Sequence, residues 1–369
     1  MPSVPLQRVV GRGAESNPAN RFERLIVEFD PAAVAEAQAG PRGEHTESAP
    51  LLRTEFFKDH AESILVRNSS PDIGFEWSIN VYRGCEHGCA YCYARPYHEY
   101  LGFSGGLDFE SRIMVKEDAP ELLRKALQRP SWKPSALAMS GVTDCYQPVE
   151  AKLELTRRCL EVLREFRHPV GIITKNRLVA RDVDLLAALA HHRLVRVTLS
   201  ITTLDSGLAR ELEPRTSSPR DRLEAVRILA GAGVPVMVNI APIIPGLNDH
   251  ELPRIVEAAA EAGAHSAGWG MLRLPGMVKD VFLEWLDRHD PGKKARILSR
   301  IREVRGGRLN DATFGRRMTG AGIFSEQVRA LFQACTRRHG LAGPMPELDT
   351  TAFRRPPSDP AQLELPGLV

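Results

Sequence analysis

The sequence predicts an α/β protein built as a partial (β/α)6 TIM-like barrel, with an N-terminal extension and a basic helical C-terminal extension. Three observations favour this fold. Six short apolar runs alternate with longer helical stretches along the middle of the chain. Such alternation is typical of right-handed βαβ units in a parallel sheet. Polar residues follow the runs, and in parallel sheets the loops at the strand ends carry the functional groups.

The predicted strands are short runs rich in β-branched and aliphatic residues. In chain order they cover residues 77–81, 135–140, 169–174, 194–201, 235–241 and 265–272. The predicted helices carry apolar residues at helical spacing and cover residues 150–166, 181–192, 218–233 and 249–263.

Four regions are predicted along the chain of 369 residues. Residues 1–69 form an extended, partly irregular segment, 70–290 the β/α core, 291–342 a basic helical extension, and 343–369 a Pro-rich flexible tail. Both ends are rich in proline and in small or polar residues, which favours arms or wrapping segments.

Composition excludes several classes of protein. No apolar run approaches the roughly 18 residues that a membrane span needs, and the N-terminus carries no apolar signal region. Six cysteines in a chain of this length are too few for a disulfide framework. We therefore expect a globular, cytoplasmic protein without a membrane partner.

The charge is uneven, although the net charge is only +3. Residues 291–340 hold twelve Lys and Arg against three acidic residues, a local charge of +9. Such a block can face a polyanion such as nucleic acid. It can also be a solvated helix face, because Ile297, Leu298, Ile301 and Val304 recur between the basic residues at helical spacing.

Three of the six cysteines, Cys85, Cys89 and Cys92, lie within eight positions in the stretch CEHGCAYC. A closed zinc site needs four ligands, and electron-transfer iron–sulfur clusters typically use four cysteines. A 4Fe–4S cluster held by three thiolates leaves one iron free to bind a ligand. The alternative is a Cys3His zinc site completed by His87 or His98.

The Cys-x3-Cys-x-aromatic-Cys spacing of CEHGCAYC resembles the signature of the radical S-adenosylmethionine (radical SAM) superfamily, over roughly residues 70–290. The loops TDCYQPVE, ITKN, EPR and APIIPGLND resemble the branch that contains spore photoproduct lyase, the DNA-repair photolyase-like proteins. The stretch from NSSPDIGFEW to DFESRI is similar to an uncharacterised bacterial family within that branch.

This resemblance implies a 4Fe–4S cluster on the three cysteines, with SAM bound to the open iron. It implies one-electron cleavage of SAM to a 5′-deoxyadenosyl radical, which abstracts hydrogen from a substrate. It also implies a low-potential electron donor of the flavodoxin or ferredoxin type. A primary carbon radical reacts with almost any nearby C–H bond, so the substrate must be held close and water excluded.

The strand-end loops supply the candidate SAM-binding residues. By resemblance, Tyr91 lies against the adenine, Ser140 and Gly141 face the methionyl amine, and Lys175 pairs with the SAM carboxylate. Each has a plain structural alternative, such as a strand-to-loop turn or shielding of the cluster. The remaining candidates are Ser200 and Thr202, which share a strand face that can bond the ribose, Glu213, Arg215 and Asn239.

Glu213 and Arg215 belong to the EPR loop, and a surface ion pair between them is the alternative to SAM binding. Cys145 raises a separate question, because photoproduct lyases use a cysteine near this loop to return hydrogen to the product radical. At the corresponding position this chain has Gly141, so Cys145 is the candidate hydrogen donor. The two other cysteines, Cys159 and Cys335, fall on apolar helix faces and are predicted core thiols.

The leading substrate is a nucleic acid, from the branch resemblance and the basic extension. Modification of a protein or small metabolite is the alternative among enzymes, and a non-catalytic zinc or iron–sulfur protein is the alternative outside them. The tail segment QLELPGL, from Gln362 to Leu368, resembles the peptides with which bacterial DNA-handling proteins dock on the sliding clamp. A clamp contact is therefore a further hypothesis.

Overall fold

The computed structural model describes residues 11–18, 20–22 and 52–357. Strands and helices alternate through the middle of the chain, as the apolar pattern predicts. In chain order the strands are β1 (Glu55–Lys58), β2 (Leu65–Arg67), β3 (Trp77–Ile79), β4 (Tyr82–Arg83), β5 (Arg112–Val115), β6 (Leu137–Met139), β7 (Val170–Thr174), β8 (Val195–Ser200), β9 (Val236–Ile243) and β10 (Ser266–Met271).

Helices follow most of the strands along the chain. They are α1 (Leu107–Ser111), α2 (Ala119–Gln128), α3 (Glu150–Leu153), α4 (Leu155–Glu165), α5 (Val183–His191), α6 (Ser206–Leu212), α7 (Pro219–Gly231), α8 (Leu252–Glu261), α9 (Val278–His289), α10 (Pro291–Val304) and α11 (Ile323–Arg338). Short 3-10 helices cover Arg95–Leu101, Arg177–Asp182 and Asp249–Glu251. None of the described helices is long and apolar enough to cross a bilayer.

The main sheet has seven strands in the order β10–β9–β8–β7–β6–β3–β2. The six strands from β3 to β10 in this sheet run parallel, and β2 joins β3 antiparallel. Adjacent parallel strands of the main sheet therefore come from successive βα units of the chain. Strands β10 and β2 form the two open edges. The predicted partial barrel is confirmed, and the sheet does not close.

Two sheet faces follow from the two-residue period of a strand. On β8, Val195, Val197 and Leu199 are buried in the main core beneath the helices. Between them, Arg196 and Thr198 point to the opposite face and are only partly buried. We call this opposite face, which continues through the neighbouring strands, the inner face.

One predicted helix is divided in the structure, and another forms where it is expected. The run 150–166 is divided into α3 and α4, because Glu154 adopts a left-handed backbone conformation with φ of 51°. The helix predicted at 218–233 forms as α7, where Ser218 accepts a hydrogen bond from the Asp221 backbone N–H and Pro219 occupies the first turn.

A small second sheet carries the chain into the cysteine loop. Its strand order is β1–β5–β4, with β1 parallel and β4 antiparallel to β5. Strand β4 ends at Arg83, two residues before Cys85. This sheet therefore fixes the direction in which the cysteine loop leaves the barrel.

The C-terminal extension packs into the core more closely than its charge suggests. Ile297 and Ile301 of α10 are buried in one apolar cluster with Phe282 and Trp285 of α9. Arg305 is also buried and donates to the carbonyl oxygens of Met271 and Leu272. The predicted boundary at residue 290 therefore crosses a continuous packing unit.

Part of the predicted tail, as far as residue 357, lies within the described residues and contacts the barrel. The backbone N–H of Arg354 donates to Phe166 O at 2.9 Å, and the Phe353 ring stacks on Phe166 at 6.3 Å between centroids. Arg355 donates to Trp132 O at 2.8 Å. This segment therefore contacts both the loop that precedes β6 and the loop that precedes β7. The clamp-like peptide from Gln362 to Leu368 lies outside the described residues and stays a prediction.

Candidate active site

The three clustered cysteines lie on one loop at the carboxyl end of the parallel strands. Cys85 and Cys89 are buried and Cys92 is half-buried. Two glycines in the loop adopt positive φ, 78° for Gly84 and 66° for Gly88, so the chain can turn tightly between the cysteines. We call residues 85–92 the cysteine loop.

A buried arginine holds the backbone of this loop. All three side-chain nitrogens of Arg95 donate to carbonyl oxygens, among them Cys89 O at 3.0 Å and Gly88 O at 3.2 Å. Arg95 Nη2 also lies 3.0 Å from Glu110 Oε2, and neither side chain is exposed. Sequence reasoning missed this pair, although both residues fall within the stretch that carries the family resemblance.

An N-terminal strap, residues 11–18, covers the other side of the same loop. The backbone N–H groups of Arg12 and Gly13 donate to Glu110 at 2.6 and 3.1 Å. A Cβ atom at Gly13 would collide with the carbonyl oxygen of Gly88. The strap and the loop therefore touch backbone to backbone.

The chemistry of the three thiols fits a metal cluster. Burial raises the pKa of Cys85, Cys89 and Cys92 above the ordinary thiol range. The protein alone therefore keeps the thiols neutral, and a bound metal cluster supplies the positive charge that thiolate ligands need. Among the described residues, no three Cys, His, Asp or Glu side chains come close enough to hold a single metal ion.

The two histidines of the zinc alternative occupy other environments. His98 is buried between Phe103 and Phe109, with ring centroids 5.4 and 5.7 Å away. His87 Nδ1 lies 3.5 Å from Asp144 Oδ2, and its Nε2 lies 3.3 Å from the Asn176 side chain. Burial lowers the pKa of both histidines.

Four of the predicted SAM-binding residues converge in one polar network beside the cysteine loop. Lys175 Nζ lies 3.0 Å from Glu213 Oε1 and 3.2 Å from Thr202 Oγ1. Tyr91 Oη donates to Glu213 and lies 3.2 Å from Thr202 Oγ1. The Lys175 ammonium also stands 5.5 Å from the Tyr91 ring centroid. The structure therefore brings these four candidates close together.

A fifth residue, Arg222, completes the network and was not predicted. Its guanidinium binds the second oxygen of Glu213 and donates to Ser200 O at 2.9 Å. Burial alone would raise the pKa of Glu213, but Arg222 and Lys175 together hold it well below its usual range. Glu213 is therefore ionised and has two cations as partners. A single buried arginine inside helix α7 leaves no signal in the sequence.

The serine and glycine at the end of β6 also lie at this edge. Ser140 Oγ is buried and has no hydrogen-bond partner of acceptable geometry, although its hydroxyl lowers the pKa of Cys145, which burial raises overall. A Cβ atom at Gly141 would stand 3.1 Å from Ser78 Cβ. Tyr93 Oη donates to Gly141 O at 3.1 Å.

Asp144 links the loops that follow β6 and β7. It accepts hydrogen bonds from Thr174 Oγ1 at 2.8 Å, from the Lys175 backbone N–H at 2.7 Å and from the Tyr146 backbone N–H at 2.8 Å. These contacts fix the backbone from which Lys175 extends.

Arg215 and Glu213 have different partners, so the surface ion pair given as the alternative to SAM binding does not form between them. Arg215 Nη1 lies 2.8 Å from Glu86 Oε1, and its backbone N–H donates to His87 O at 3.3 Å. Arg215 therefore touches the cysteine loop from outside the polar network. Asn239 lies on the inner face, where its Oδ1 would stand 3.3 Å from a Cβ atom at Gly268.

Cys145 lies in the main apolar core and is 1% exposed. Burial raises the pKa of its thiol well above the ordinary value. A thiol so placed is not presented to the inner face, and this position argues against a role as hydrogen donor. Cys159 is buried in the same core, and Cys335 packs against its edge.

The protein has recognisable relatives. The profile of the radical SAM superfamily matches residues 79–259. An uncharacterised protein of Mycobacterium tuberculosis is 36% identical over 234 residues, 63% of this chain and 68% of that protein. The radical SAM Nalpha-GlyT isomerase of Pseudomonas phage M6 is 24% identical, over 48% of this chain and 35% of the isomerase.

The fold has counterparts among solved structures. Spore photoproduct lyase complexed with dinucleoside spore photoproduct superposes with a TM-score of 0.56 and 17% sequence identity, over 78% of this chain and 80% of the lyase. At this identity the likeness concerns the fold. It matches the open parallel sheet described above.

Proposed function

This chain belongs to the radical SAM superfamily, and from that premise we propose that Cys85, Cys89 and Cys92 hold its cluster and that its substrate is a nucleic acid. Enzymes of the superfamily use a 4Fe–4S cluster and SAM. The observation that carries the proposal is that three thiols, two buried and one half-buried, share one loop at the carboxyl end of the parallel strands. When bound, the cluster and SAM supply a one-electron reductive cleavage that yields a hydrogen-abstracting carbon radical.

Lys175 is the residue that we assign to the SAM carboxylate. Its partner Glu213 is also bound by Arg222, so Lys175 can turn to another anion while Glu213 stays neutralised. A charge-assisted bond from an ammonium to a carboxylate is among the stronger hydrogen bonds in proteins. Tyr91 and Thr202 remain beside it to contact the rest of the ligand.

The inner face is the surface that we assign to the substrate. Its side chains are small or polar at the strand ends, and Ile173 is 38% exposed there. A substrate that covers this face would exclude water from the polar network and hold its C–H bond close to the reacting centre. Ser140 is buried at the same edge.

Two features favour a nucleic acid over a protein or small metabolite. Arg273 has no carboxylate partner among the described residues and lies 5.7 Å from the Tyr93 ring, close to Gly141 at the strand ends. Within the part of the chain that the structure describes, five exposed arginines of the C-terminal extension also lack an ionic partner: Arg302, Arg308, Arg329, Arg337 and Arg338. Unpaired guanidinium groups beside exposed aromatic rings are typical of phosphate and base contacts. A lyase of the same fold is known in complex with a dinucleoside photoproduct.

Radical SAM enzymes need an electron donor, and a flavodoxin or ferredoxin is the donor that we propose. The compartment that we propose is the cytoplasm, because three adjacent thiols stay reduced there.

Anaerobic reconstitution tests the enzyme. We expect about four irons per chain, an EPR signal of the reduced cluster that SAM alters, and release of 5′-deoxyadenosine on reduction. The variant Cys89→Ala should lose both the bound cluster and the cleavage of SAM. Colourless protein with one bound zinc would refute the proposal.

Fluorescence anisotropy with labelled single-stranded and duplex oligonucleotides tests the substrate class. Replacing the five unpaired arginines by Gln should weaken binding and reduce its salt dependence, since each phosphate contact releases counterions. The matched control replaces three exposed, unpaired arginines on other helices, Arg158, Arg164 and Arg220. If binding depended neither on the salt concentration nor on the five replacements, nucleic acid would be ruled out as the substrate.

A further inference from the structure

A cationic pocket of about 660 Å³ opens outside the polar network. Its wall contains Arg12, Arg210, Arg215 and Arg288 against one carboxylate, Glu211. None of the residues that line it belongs to the inner face. The pocket is therefore separate from the surface assigned to SAM and the substrate.

Only one residue layer separates this pocket from the cysteine loop. The backbone N–H of Arg215 donates to His87 O at 3.3 Å, between Cys85 and Cys89. A Cβ atom at Gly88 would stand 2.5 Å from Arg12 Cβ. A group bound in the pocket would thus lie close to whatever the three cysteines hold.

The positive charge of the pocket is only partly neutralised. Arg215 pairs with Glu86 at 2.8 Å, and Arg288 pairs with Glu15. Arg210 is exposed on α6 and has no ionic partner among the described residues. Burial and then repulsion from Arg215 lower the pKa of Arg12, although Glu110 and Glu86 partly offset this shift.

An exposed aromatic side chain borders the cations. Thr54 Oγ1 accepts hydrogen bonds from Arg12 and from Arg215, the latter at 3.5 Å. Two residues further along the chain, Phe56 is 49% exposed at the start of β1, an edge strand. An exposed aromatic side chain near several cations is typical of a protein-binding surface. In such surfaces aromatic residues supply much of the affinity, and charged residues increase the rate of association.

We propose that this pocket and Phe56 form the docking site for an acidic, low-potential electron-transfer protein. The inference rests on the proposed function, since it presumes a cluster on the cysteine loop. One electron leaves the reduced donor, which is oxidised, and enters the cluster, which is reduced; no atom or proton moves. Electron transfer slows steeply with distance, and a donor in this pocket would lie one residue layer from the cysteine loop while the inner face stays open to the substrate.

The test compares the cluster-loaded wild type with Arg210→Glu and Phe56→Ala, both exposed positions whose replacement leaves the fold intact. Equilibrium binding of a fluorescently labelled flavodoxin and of a ferredoxin is measured at several salt concentrations. For the better donor we expect the dissociation constant of Arg210→Glu to rise about tenfold, with a weaker salt dependence. The matched control Arg220→Glu, on α7, should bind the donor like the wild type.

SAM cleavage driven by dithionite gives the second readout. Dithionite is a small reductant that needs no docking site, so Arg210→Glu should cleave SAM at the wild-type rate with dithionite and more slowly with the protein donor. Unchanged donor binding in both variants would overturn the docking site, and so would weaker oligonucleotide binding with donor binding unaffected. Failure of the proposed function looks different: the wild type itself would then release no 5′-deoxyadenosine with dithionite.

Discussion

Arg95 and Glu110 form a fully buried ion pair, with 3.0 Å between Nη2 and Oε2. The pair joins three segments that are far apart in sequence: the cysteine loop through its carbonyl oxygens, the N-terminal strap through its N–H groups, and α1 through Glu110 itself. Every donor of the guanidinium faces an acceptor at close range, which offsets the cost of burying the two charges. The shape of the cysteine loop therefore depends on residues that hold no metal.

Arg95→Met should destabilise the protein by about 3–5 kcal/mol, because it leaves the Glu110 carboxylate buried without its cation. Urea denaturation measures this loss, and iron per chain after anaerobic reconstitution should fall with it. The matched control is Arg124→Met, which breaks the surface pair with Glu165, in which both side chains are well exposed. That change should cost at most about 1 kcal/mol and leave iron binding intact. Equal losses in the two variants would contradict the role given to Arg95.

Gly13→Ala should displace the strap from the cysteine loop, since the new methyl group would collide with Gly88 O. We expect faster backbone hydrogen exchange in residues 85–92 and faster loss of iron in air, with a stability cost of about 1–3 kcal/mol. Gly74→Ala is the control, because a Cβ atom there meets no atom within 4 Å. Unchanged exchange at the loop in Gly13→Ala would show that the strap does not protect it.

The parts of the site that could be predicted from the sequence lie at strand ends. Lys175 and Thr202 follow buried parallel strands, so the two-residue period and the common edge of the sheet place them together. The supporting residues could not be predicted in this way. Arg222 lies inside a helix and Arg12 in an irregular segment, and their partners are set by tertiary packing that no periodic pattern records.

Lys175→Met should weaken SAM binding by about ten- to a hundredfold, the loss expected for a hydrogen bond to a charged group. Equilibrium dialysis against SAM with the cluster-loaded protein measures it. The iron content should not change, because Lys175 is not one of the proposed cluster ligands. Lys152→Met, at an exposed position of α3, is the matched control. Wild-type SAM affinity in Lys175→Met would remove this residue from the proposed site.

Cys145→Ala should keep SAM cleavage at the wild-type rate, because the thiol is buried in the main core and away from the inner face. The small cavity that it leaves should cost about 1 kcal/mol of stability. Cleavage is followed by the release of 5′-deoxyadenosine. Where a product can be assayed, the incorporation of solvent deuterium into it should match the wild type. A changed deuterium content in the product would restore Cys145 as a hydrogen donor.

His168 connects the C-terminal segment to the barrel in its neutral form. Its Nε2 accepts a hydrogen bond from Trp132 Nε1 at 3.1 Å, its Nδ1 faces Pro169 O at 3.1 Å, and the Phe353 ring packs edge-on at 5.5 Å. An imidazole that accepts through one nitrogen must lack a proton there. Burial accordingly lowers the pKa of His168 to about 4.

Stability should therefore fall as the pH drops from 6.5 towards 4. In this window the unfolded chain, whose histidine has an ordinary pKa near 6.5, binds a proton that the folded protein does not. For His168 alone, the free energy of unfolding should be about 2 kcal/mol lower at pH 5 than at pH 7. Urea denaturation at the two pH values measures this difference. His168→Gln should reduce the pH dependence by that amount, whereas His60→Gln, at an exposed position, should not. An unchanged pH dependence in His168→Gln would mean that the folded protein already binds the proton, and the neutral contact with Trp132 would then be wrong.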